Sequence, residues 1–200
     1  MAFGGQKQIS HPDSRTPEGQ QTYLCAHCGA WTSGLVVAHY YYGYNVNWLI
    51  CTGCGHGSVD DNGKLYPRSK FGPNIEGLPK EVKKAYEEAR TCYSVNAFTA
   101  CELICRKILM HIAVDKGAKE DEAFSYYLSV LEEKGYVTPP MKKWVGLIRK
   151  HGGKATHLIE APDQRRAEGT LMFTAELLRL IYEMEHMADK YIPKPKNNEE

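Results

Sequence analysis

The chain has 200 residues, of which 42% are hydrophobic, and its formal net charge is +1. This length allows one medium domain and one small domain, and the near-neutral charge excludes a strong general attraction to nucleic acid or to a membrane surface. No apolar run is long enough to cross a bilayer, and the chain begins without an apolar signal segment, so we expect a cytoplasmic protein with no membrane contact. Seven cysteines agree with a reducing compartment. The polar start of the chain predicts a flexible arm over 1–21.

Two Cys-x-x-Cys pairs follow the arm, Cys25/Cys28 and Cys51/Cys54, and a glycine comes directly after each pair. Such a pair turns two sulfurs toward one point, and the glycine allows a tight turn in which backbone N–H groups approach sulfur. We therefore predict a zinc ribbon over 22–58 in which the four cysteines bind one structural Zn²⁺ per chain. Four sulfur ligands leave no open coordination position, so the metal would stabilise the fold without catalysing a reaction.

The segment between the two pairs is β-branched and aromatic, which favours strands over 35–44 and 45–50. The aromatic run 39–44, together with Trp48, leaves two alternatives open. These rings could stack on bases, or they could pack within a ribbon that is too small for an ordinary core. His56 could replace a sulfur ligand, but four cysteines already suffice.

Glycine, proline and asparagine residues predict a linker over 59–78. From 79 to 190, apolar residues recur at helical spacing in five stretches, which predicts an all-α bundle of about five helices. Gly152 and Gly153 are expected to end the fourth helix. Residues 191–200 are polar and are predicted to form a flexible tail. The predicted fold class is therefore α+β, with a small β zinc ribbon followed by the helical bundle.

Three cysteines lie outside the ribbon, and an odd number of thiols fits free cysteines better than a set of disulfides: Cys92, Cys101 and Cys105. Cys101 and Cys105 are one helical turn apart, on the same apolar stripe as Ile104 and Ile108. They could bind a metal with a third ligand, but packing in the core explains the pattern better.

The stretch 140–157 contains five cations and no acidic residue. Backbone N–H groups of its Gly-Gly turn, beside Arg149, Lys150 and Lys154, would suit a phosphate group. The alternative is a solvated helix face whose cations favour the negative end of the helix dipole.

Arg149 and His157 suggest a specific chemistry within this stretch. Histidine can activate a 2′-hydroxyl near neutral pH, and arginine can neutralise the phosphate in the transition state, so the pair could cleave RNA without a metal. Alternatively, His157 packs between helices and Arg149 pairs with an acidic residue such as Glu160.

Three segments of the helical part resemble the bacterial and phage family called domain of unknown function 4145: 85–89, 105–109 and 147–157. The resemblance covers about 22–190, and its most specific part is the signature Ile-Arg-x-x-Gly-x-x-Ala-x-His at 148–157. It implies an all-α fold similar to the HEPN group (higher eukaryotes and prokaryotes nucleotide-binding). Domains of that group commonly dimerise through helices, and many serve in antiviral defence, toxin–antitoxin or restriction systems. Some are metal-independent ribonucleases that use an arginine and a histidine.

Carried over to this chain, the resemblance makes Arg149 and His157 the catalytic candidates, with Arg106 as a supporting cation. However, more residues separate Arg149 from His157 than the nuclease pattern allows, and Met110 and Gly153 stand where polar residues are expected. We therefore favour a non-catalytic, zinc-binding interaction module of a defence or counter-defence system, which binds a protein, RNA or DNA. The alternatives are a metal-independent HEPN-type endoribonuclease and a structural accessory subunit of a larger complex. The resemblance also implies a homodimer formed through the helical domain, and the expected binding residues are Arg106, Lys150, His151 and Lys154.

Overall fold

The computed structural model describes three stretches of the chain: 19–40, 45–155 and 161–192. Within 150–155 it describes the backbone but not the side chains. The chain divides into two compact units, residues 1–70 and residues 71–200. The first unit contains strands and the second contains helices, so the predicted α+β arrangement is confirmed.

The first unit is one antiparallel sheet whose five strands follow one another in sequence order. The strands are β1 (Gln20–Leu24), β2 (Trp31–Tyr40), β3 (Val46–Cys51), β4 (Gly57–Asp61) and β5 (Lys64–Tyr66). The sheet therefore begins inside the predicted arm and continues into the predicted linker. The sheet continues into the predicted linker because the pair Asn62-Gly63, with φ angles of 50° and 82°, joins β4 to β5. Both angles suit a two-residue hairpin turn, so these residues reverse the chain within the sheet.

One face of the sheet carries a small core, made of four buried residues: Tyr23, Cys25, Leu49 and Cys51. Gly34 in β2 lies directly under the ring of Tyr23, where any Cβ atom would contact that ring. The aromatic ring thus covers a glycine in the sheet. Two of the four core residues are predicted metal ligands, so core and metal site lie together.

The opposite side of the sheet is apolar but largely uncovered. Residues that pair directly across antiparallel strands point to the same side, and such pairs join Leu24 to Trp31, Leu35 to Ile50, and Val59 to both Trp48 and Tyr66. We call this set the outer face: Leu24, Trp31, Leu35, Trp48, Ile50, Val59 and Tyr66. Trp31 is 74% exposed, Ile50 38% and Tyr66 39%.

The second unit is built from helices α1 (Lys80–Ser94), α2 (Phe98–Asp115), α3 (Phe124–Glu133), α4 (Lys142–Ala155), α5 (Gln164–Leu178) and α6 (Met184–Tyr191). A 3₁₀ turn, Pro139–Met141, leads into α4, and a π-helical turn, Arg179–Glu183, joins α5 to α6. The last two helices thus form one continuous segment. Counted in this way, the described helices match the prediction of about five.

The core of the helical unit is formed by the predicted apolar stripes. α2 packs against α1, α3 and α5, and Cys101 and Cys105 on α2 are fully buried. Their interpretation as core residues is therefore confirmed. The other stripe residues in this core include Val82, Tyr86, Ala89, Ile108, Ile112, Leu128, Leu131, Val145, Ile148, Leu171, Leu178 and Ile181.

The second half of the predicted linker belongs to the helical unit. Phe71, Ile75 and Leu78 pack on the helical core. Arg90 of α1 donates hydrogen bonds to the carbonyl oxygens of Phe71 and Gly72, at 3.0 and 2.9 Å, and thereby fixes the chain that leads into α1. Residues 71–78 are therefore held against the helical unit by buried contacts and by hydrogen bonds to their backbone. Their glycines and prolines had suggested only a linker.

The fourth helix does not end where its glycines predict. α4 continues through Gly152 and Gly153 to Ala155, so the expected stop is wrong. Glycine lowers helix stability by about 1 kcal/mol relative to alanine, but it does not forbid helical backbone angles, and Lys150, Lys154 and Ala155 are good helix formers. Among the helices that the structure describes, none is long and apolar enough to cross a bilayer.

Candidate metal centre

The two Cys-x-x-Cys pairs form turns with the same backbone hydrogen bonds. In the first turn, the N–H of Gly29 donates to the carbonyl oxygen of Cys25 at 2.9 Å; in the second, the N–H of Gly55 donates to the carbonyl oxygen of Cys51, also at 2.9 Å. Both glycines have positive φ angles, 71° and 74°, which glycine adopts without a steric penalty. The tight turns predicted at these glycines are confirmed, although the glycine N–H groups donate to carbonyl oxygens rather than to sulfur.

The four cysteines converge on one point. The Sγ atoms of Cys25, Cys28, Cys51 and Cys54 all lie within 4.8 Å of one another. The Sγ atoms of Cys25 and Cys54 are 3.7 Å apart, and those of Cys28 and Cys51 are 3.9 Å apart. Metal–sulfur bonds of about 2.3 Å in a tetrahedron require sulfur–sulfur distances of about 3.8 Å. The residues present therefore fit a four-sulfur tetrahedral metal site.

Two of the thiols differ strongly in their readiness to ionise. Burial disfavours the Cys51 thiolate, but the backbone N–H of Cys54 and the Thr32 hydroxyl, among other donors, stabilise it, and the pKa of Cys51 falls to about 6. The backbone N–H of His56 favours the thiolate of Cys54, but burial and the neighbouring sulfurs outweigh it and raise the pKa of Cys54 to about 12. Several thiolates at these distances would repel one another, and a bound dication would offset this repulsion.

Metal retention should fall steeply as the solution becomes acidic. Each ligand must be a thiolate, so protons compete with the metal. In the metal-free chain, the lowered pKa of Cys51 keeps this thiol ionised at neutral pH, and protonation as the pH falls through about 6 removes a thiolate that could rebind the metal. We expect release of most of the metal by about pH 5, measured with a chromogenic chelator across a pH series. Retention that does not change from neutral pH to about pH 4 would contradict this reading of the site.

Two histidine rings stack beside the metal site. The rings of His27 and His56 have centroids 3.2 Å apart and are nearly parallel, at 13°. Nδ1 of His56 lies 3.0 Å from the carbonyl oxygen of Cys54, as a hydrogen-bond donor to it. The His56 ring is thus hydrogen-bonded to the turn that contains Cys54. The candidate metal cluster consists of the four cysteines.

Arg149 faces α3 and is occupied there. Its Nη2 donates a hydrogen bond to Oγ of Ser129 at 3.2 Å and lies 3.9 Å from a carboxylate oxygen of Glu132. The same carboxylate pairs with Lys142 at 3.2 Å. One acidic residue on α3 therefore offsets two of the five cations in the basic stretch. Arg149 does pair with an acidic residue, as the alternative interpretation predicted; the described partner is Glu132, and Glu160 lies outside the described residues.

Arg106 lies in a different part of the helical unit. Its guanidinium stacks over the ring of Phe124, 4.5 Å from the centroid, and its Nη1 is buried without a hydrogen-bond partner among the described residues. Glu102, one turn earlier on α2, is buried and bonded to Arg166 of α5 at 3.0 and 2.8 Å. The sequence suggested Arg106 as a supporting cation, but the Glu102–Arg166 pair was not predicted. An acidic residue within the apolar stretch of α2 was the feature that could have indicated it.

Several predicted site residues cannot be placed. His157 lies outside the described residues, as do residues 41–44 of the aromatic run. Lys150, His151 and Lys154 lie on α4, but their side chains are outside the description. Three members of that set are described: His39 and Tyr40 end β2, and Trp48 lies on the outer face of the sheet.

A cleft of about 840 Å³ runs along α5. Its walls combine apolar side chains, including Trp144 and Leu147, with charged ones, including Asp163 and Arg165. Arg149 is not among the residues that line it. The cleft and the predicted catalytic arginine therefore occupy different faces of α4.

Comparison with known proteins identifies the helical unit. The family model described as "Domain of unknown function (DUF4145)" matches residues 87–194, which begin within α1 and leave the sheet unit outside the match. No curated protein and no solved structure significantly matches the chain. Because the matched segment covers more than half of the 200 residues, the protein belongs to the DUF4145 family.

Proposed function

We propose that the protein is a non-catalytic interaction module that binds a protein partner and is stabilised by one structural Zn²⁺. Four cysteine sulfurs at tetrahedral spacing support the choice of zinc, because thiolate sets of this kind are typical of structural zinc sites. Such a site has no open position for a substrate. Its role is to hold the two turns together and thereby to support the sheet that carries the outer face.

The observation that carries this proposal is the exposure of the outer face. Trp31, Ile50 and Tyr66 are all more than a third exposed, on a side of the sheet that continues through Leu35 and Trp48. Contiguous exposed apolar residues mark interaction sites in folded proteins, and tryptophan and tyrosine are the residues most enriched at the centres of protein interfaces.

Charge favours a protein partner over nucleic acid. Residues 19–70 contain three lysines or arginines and two acidic residues, so this stretch has a net excess of only one positive charge to attract phosphates. In the helical unit, Glu132 offsets both Arg149 and Lys142. Since phosphate contacts supply most of the affinity of non-specific nucleic-acid binding, these surfaces are poorly suited to it.

The biological setting of this proposal comes from the resemblance. We propose that the helical unit is a HEPN-like domain and that the module acts in a bacterial or phage defence or counter-defence system. The accessory-subunit alternative predicts the same outer-face contacts within a larger complex. The ribonuclease alternative stays a prediction, and the ion pair of Arg149 with Glu132 does not favour it.

Substitution of the outer face should weaken partner binding. We expect the full chain to co-purify from its native cells with a protein partner, and Trp31→Ala combined with Ile50→Ser to weaken that binding at least about tenfold, as loss of a central tryptophan does. The measurement is affinity purification followed by binding titration with the identified partner. Lys80→Ala, an exposed change on α1, serves as the control and should bind normally. A partner retained equally by all variants would contradict the assignment of this face.

The non-catalytic part of the proposal is tested with RNA. Purified protein should leave single-stranded RNA intact in EDTA, and its binding to labelled RNA should show no steep dependence on salt. RNA cleavage that disappears in both Arg149→Ala and His157→Ala would instead establish the ribonuclease alternative.

A further inference from the structure

The cleft along α5 lies between one side of α4 and one side of α5. The residues that line it recur at helical spacing on each helix, which places them on one side: Trp144, Leu147 and Ile148 on α4, and Arg165, Gly169 and Met172 on α5. Its volume of about 840 Å³ lies within the range of small-molecule sites in proteins. The cleft is therefore large enough to hold a ligand.

A glycine keeps the middle of the cleft open. Gly169 lies inside α5, where glycine lowers helix stability by about 1 kcal/mol relative to alanine. A Cβ atom at this position would have no packing neighbour within 4 Å, so no close contact between helices requires the glycine. A side chain here would instead enter the cleft, on the side of α5 that carries Arg165 and Met172.

The two ends of the cleft differ in chemistry. Trp144 lies edge-on to Phe173, with ring centroids 6.2 Å apart, so the end beside Met172 is apolar. At the other end, Arg165 is the second residue of α5 and is exposed. Because an α-helix rises 1.5 Å per residue, roughly 10 Å separates Arg165 from Met172 along the helix. An apolar channel thus leads to a positive charge.

Four charged residues line the cleft: Asp163, Arg165, Arg166 and Glu168. Three of them are engaged within the protein. Asp163 caps the first turn of α5, and Arg166 is bonded to Glu102. Glu168 accepts a hydrogen bond from the hydroxyl of a buried tyrosine of α1. No ion pair or hydrogen bond joins the side chain of Arg165 to any of the described residues, so its charge is available to a ligand.

We propose that this cleft binds a small monocarboxylate with an apolar body, such as a medium-chain fatty acid. The planar guanidinium of Arg165 can hold a carboxylate with two parallel N–H bonds. An extended chain advances about 3.5 Å for every three bonds, so about nine bonds, those of a ten-carbon acid, span the roughly 10 Å from Arg165 to Met172.

Charge favours a monoanion over a phosphate. Only one arginine of the cleft is available, and the carboxylates of Asp163 and Glu168 lie along the same lining. Like charges repel a second negative charge on the ligand more than the single arginine can offset. The proposal goes beyond the proposed function and uses none of the residues of the outer face.

Titration of the full, metal-loaded chain with decanoate tests the proposal. In a ¹H–¹⁵N spectrum, the indole signal of Trp144 should shift with a dissociation constant between about 10 and 1,000 μM. The indole signals of Trp31 and Trp48, in the sheet unit, should stay in place. Two compounds with the same chain length should bind at least about tenfold more weakly: decyltrimethylammonium, a cation, and decyl phosphate, a dianion at about pH 8.

Two substitutions with matched controls test the residues. Arg165→Gln should weaken decanoate binding at least about tenfold, because it removes the charge, whereas Lys143→Gln removes an exposed cation of α4 outside the cleft and should bind normally. Gly169→Leu should fill the cleft and abolish binding, with an unchanged or higher thermal unfolding midpoint, since leucine favours helix more than glycine does. Gly146→Leu makes the same change at an open position of α4 outside the cleft and should bind decanoate normally.

A Trp144 signal that does not move up to about 1 mM decanoate would overturn the proposal. So would equal shifts of all three indole signals, because they would mean adsorption to exposed apolar surface rather than binding in this cleft. Equal binding of the three ten-carbon compounds would overturn the role of Arg165, and tighter binding of decyl phosphate would overturn the choice of a carboxylate.

Discussion

Removal of the metal should unfold the sheet unit and leave the helical unit folded. Two of the four buried residues in the core of the sheet, Cys25 and Cys51, belong to the four-cysteine cluster that fits a metal, and Tyr23 and Leu49 pack against them. A core of this size cannot compensate for the loss of its ligand bonds, which contribute about 10 kcal/mol or more in small zinc domains. The core of the helical unit consists of a different and much larger set of residues.

The three tryptophans make this result measurable in one experiment. Trp31 and Trp48 lie in the sheet unit, whereas Trp144 lies on α4, edge-on to Phe173 of the helical core. In a ¹H–¹⁵N spectrum of the full chain, a strong chelator or the substitution Cys51→Ser should move the indole signals of Trp31 and Trp48 to unfolded positions. The indole signal of Trp144 should remain where it is.

Cys92→Ser provides the control for the loss of a thiol. Cys92 is a half-buried cysteine on α1 and is not part of the four-sulfur cluster. We expect it to leave all three indole signals in place. Collapse of the Trp144 signal together with the other two would show that the two units unfold as one, and that the boundary near residue 70 does not separate independent cores.

Local patterns in the sequence predicted the elements whose cause is local. The metal site follows from two turns of the same type, each determined by a few adjacent residues, so its four ligands could be named in advance. The buried side of each helix follows in the same way from apolar periodicity. The sheet was harder, because Asn62-Gly63 is both a chain breaker and the preferred sequence of a tight hairpin turn. Only the pairing of β4 with β5 decides between these two roles.

Features that depend on distant residues could not be predicted. The partner of Glu102 is Arg166, on another helix, and no local pattern connects them. The acidic partner suggested for Arg149 was Glu160, which lies outside the described residues, whereas the ion pair among the described residues is with Glu132 of α3. The cleft along α5 was equally hidden, because apolar residues have the same spacing whether a neighbouring helix covers them or not.

Replacement of Glu102 by alanine should destabilise the helical unit by about 3–5 kcal/mol. Glu102 is only 5% exposed and bonds both to Nε of Arg166, at 3.0 Å, and to its Nη2, at 2.8 Å. Glu102 also acts on Arg106: burial lowers the pKa of Arg106, the charge of Glu102 raises it, and the charge of Arg166 lowers it. Without this carboxylate, the partly buried guanidinium groups of Arg106 and Arg166 would lose the counter-charge that acts on both, which destabilises the protein far more than the loss of one surface contact.

Urea unfolding at neutral pH, followed by the signal of Trp144 in the metal-loaded chain, measures this effect for the helical unit alone. Glu88→Ala, which removes an exposed carboxylate from α1, should change the free energy of unfolding by less than about 0.5 kcal/mol. The double substitution Glu102→Leu with Arg166→Met should recover much of the stability, because an apolar pair of similar volume avoids the cost of a buried, unpaired charge. A loss below about 1 kcal/mol for Glu102→Ala would mean that water reaches this pair in solution, since only a desolvated charge is so costly to leave alone.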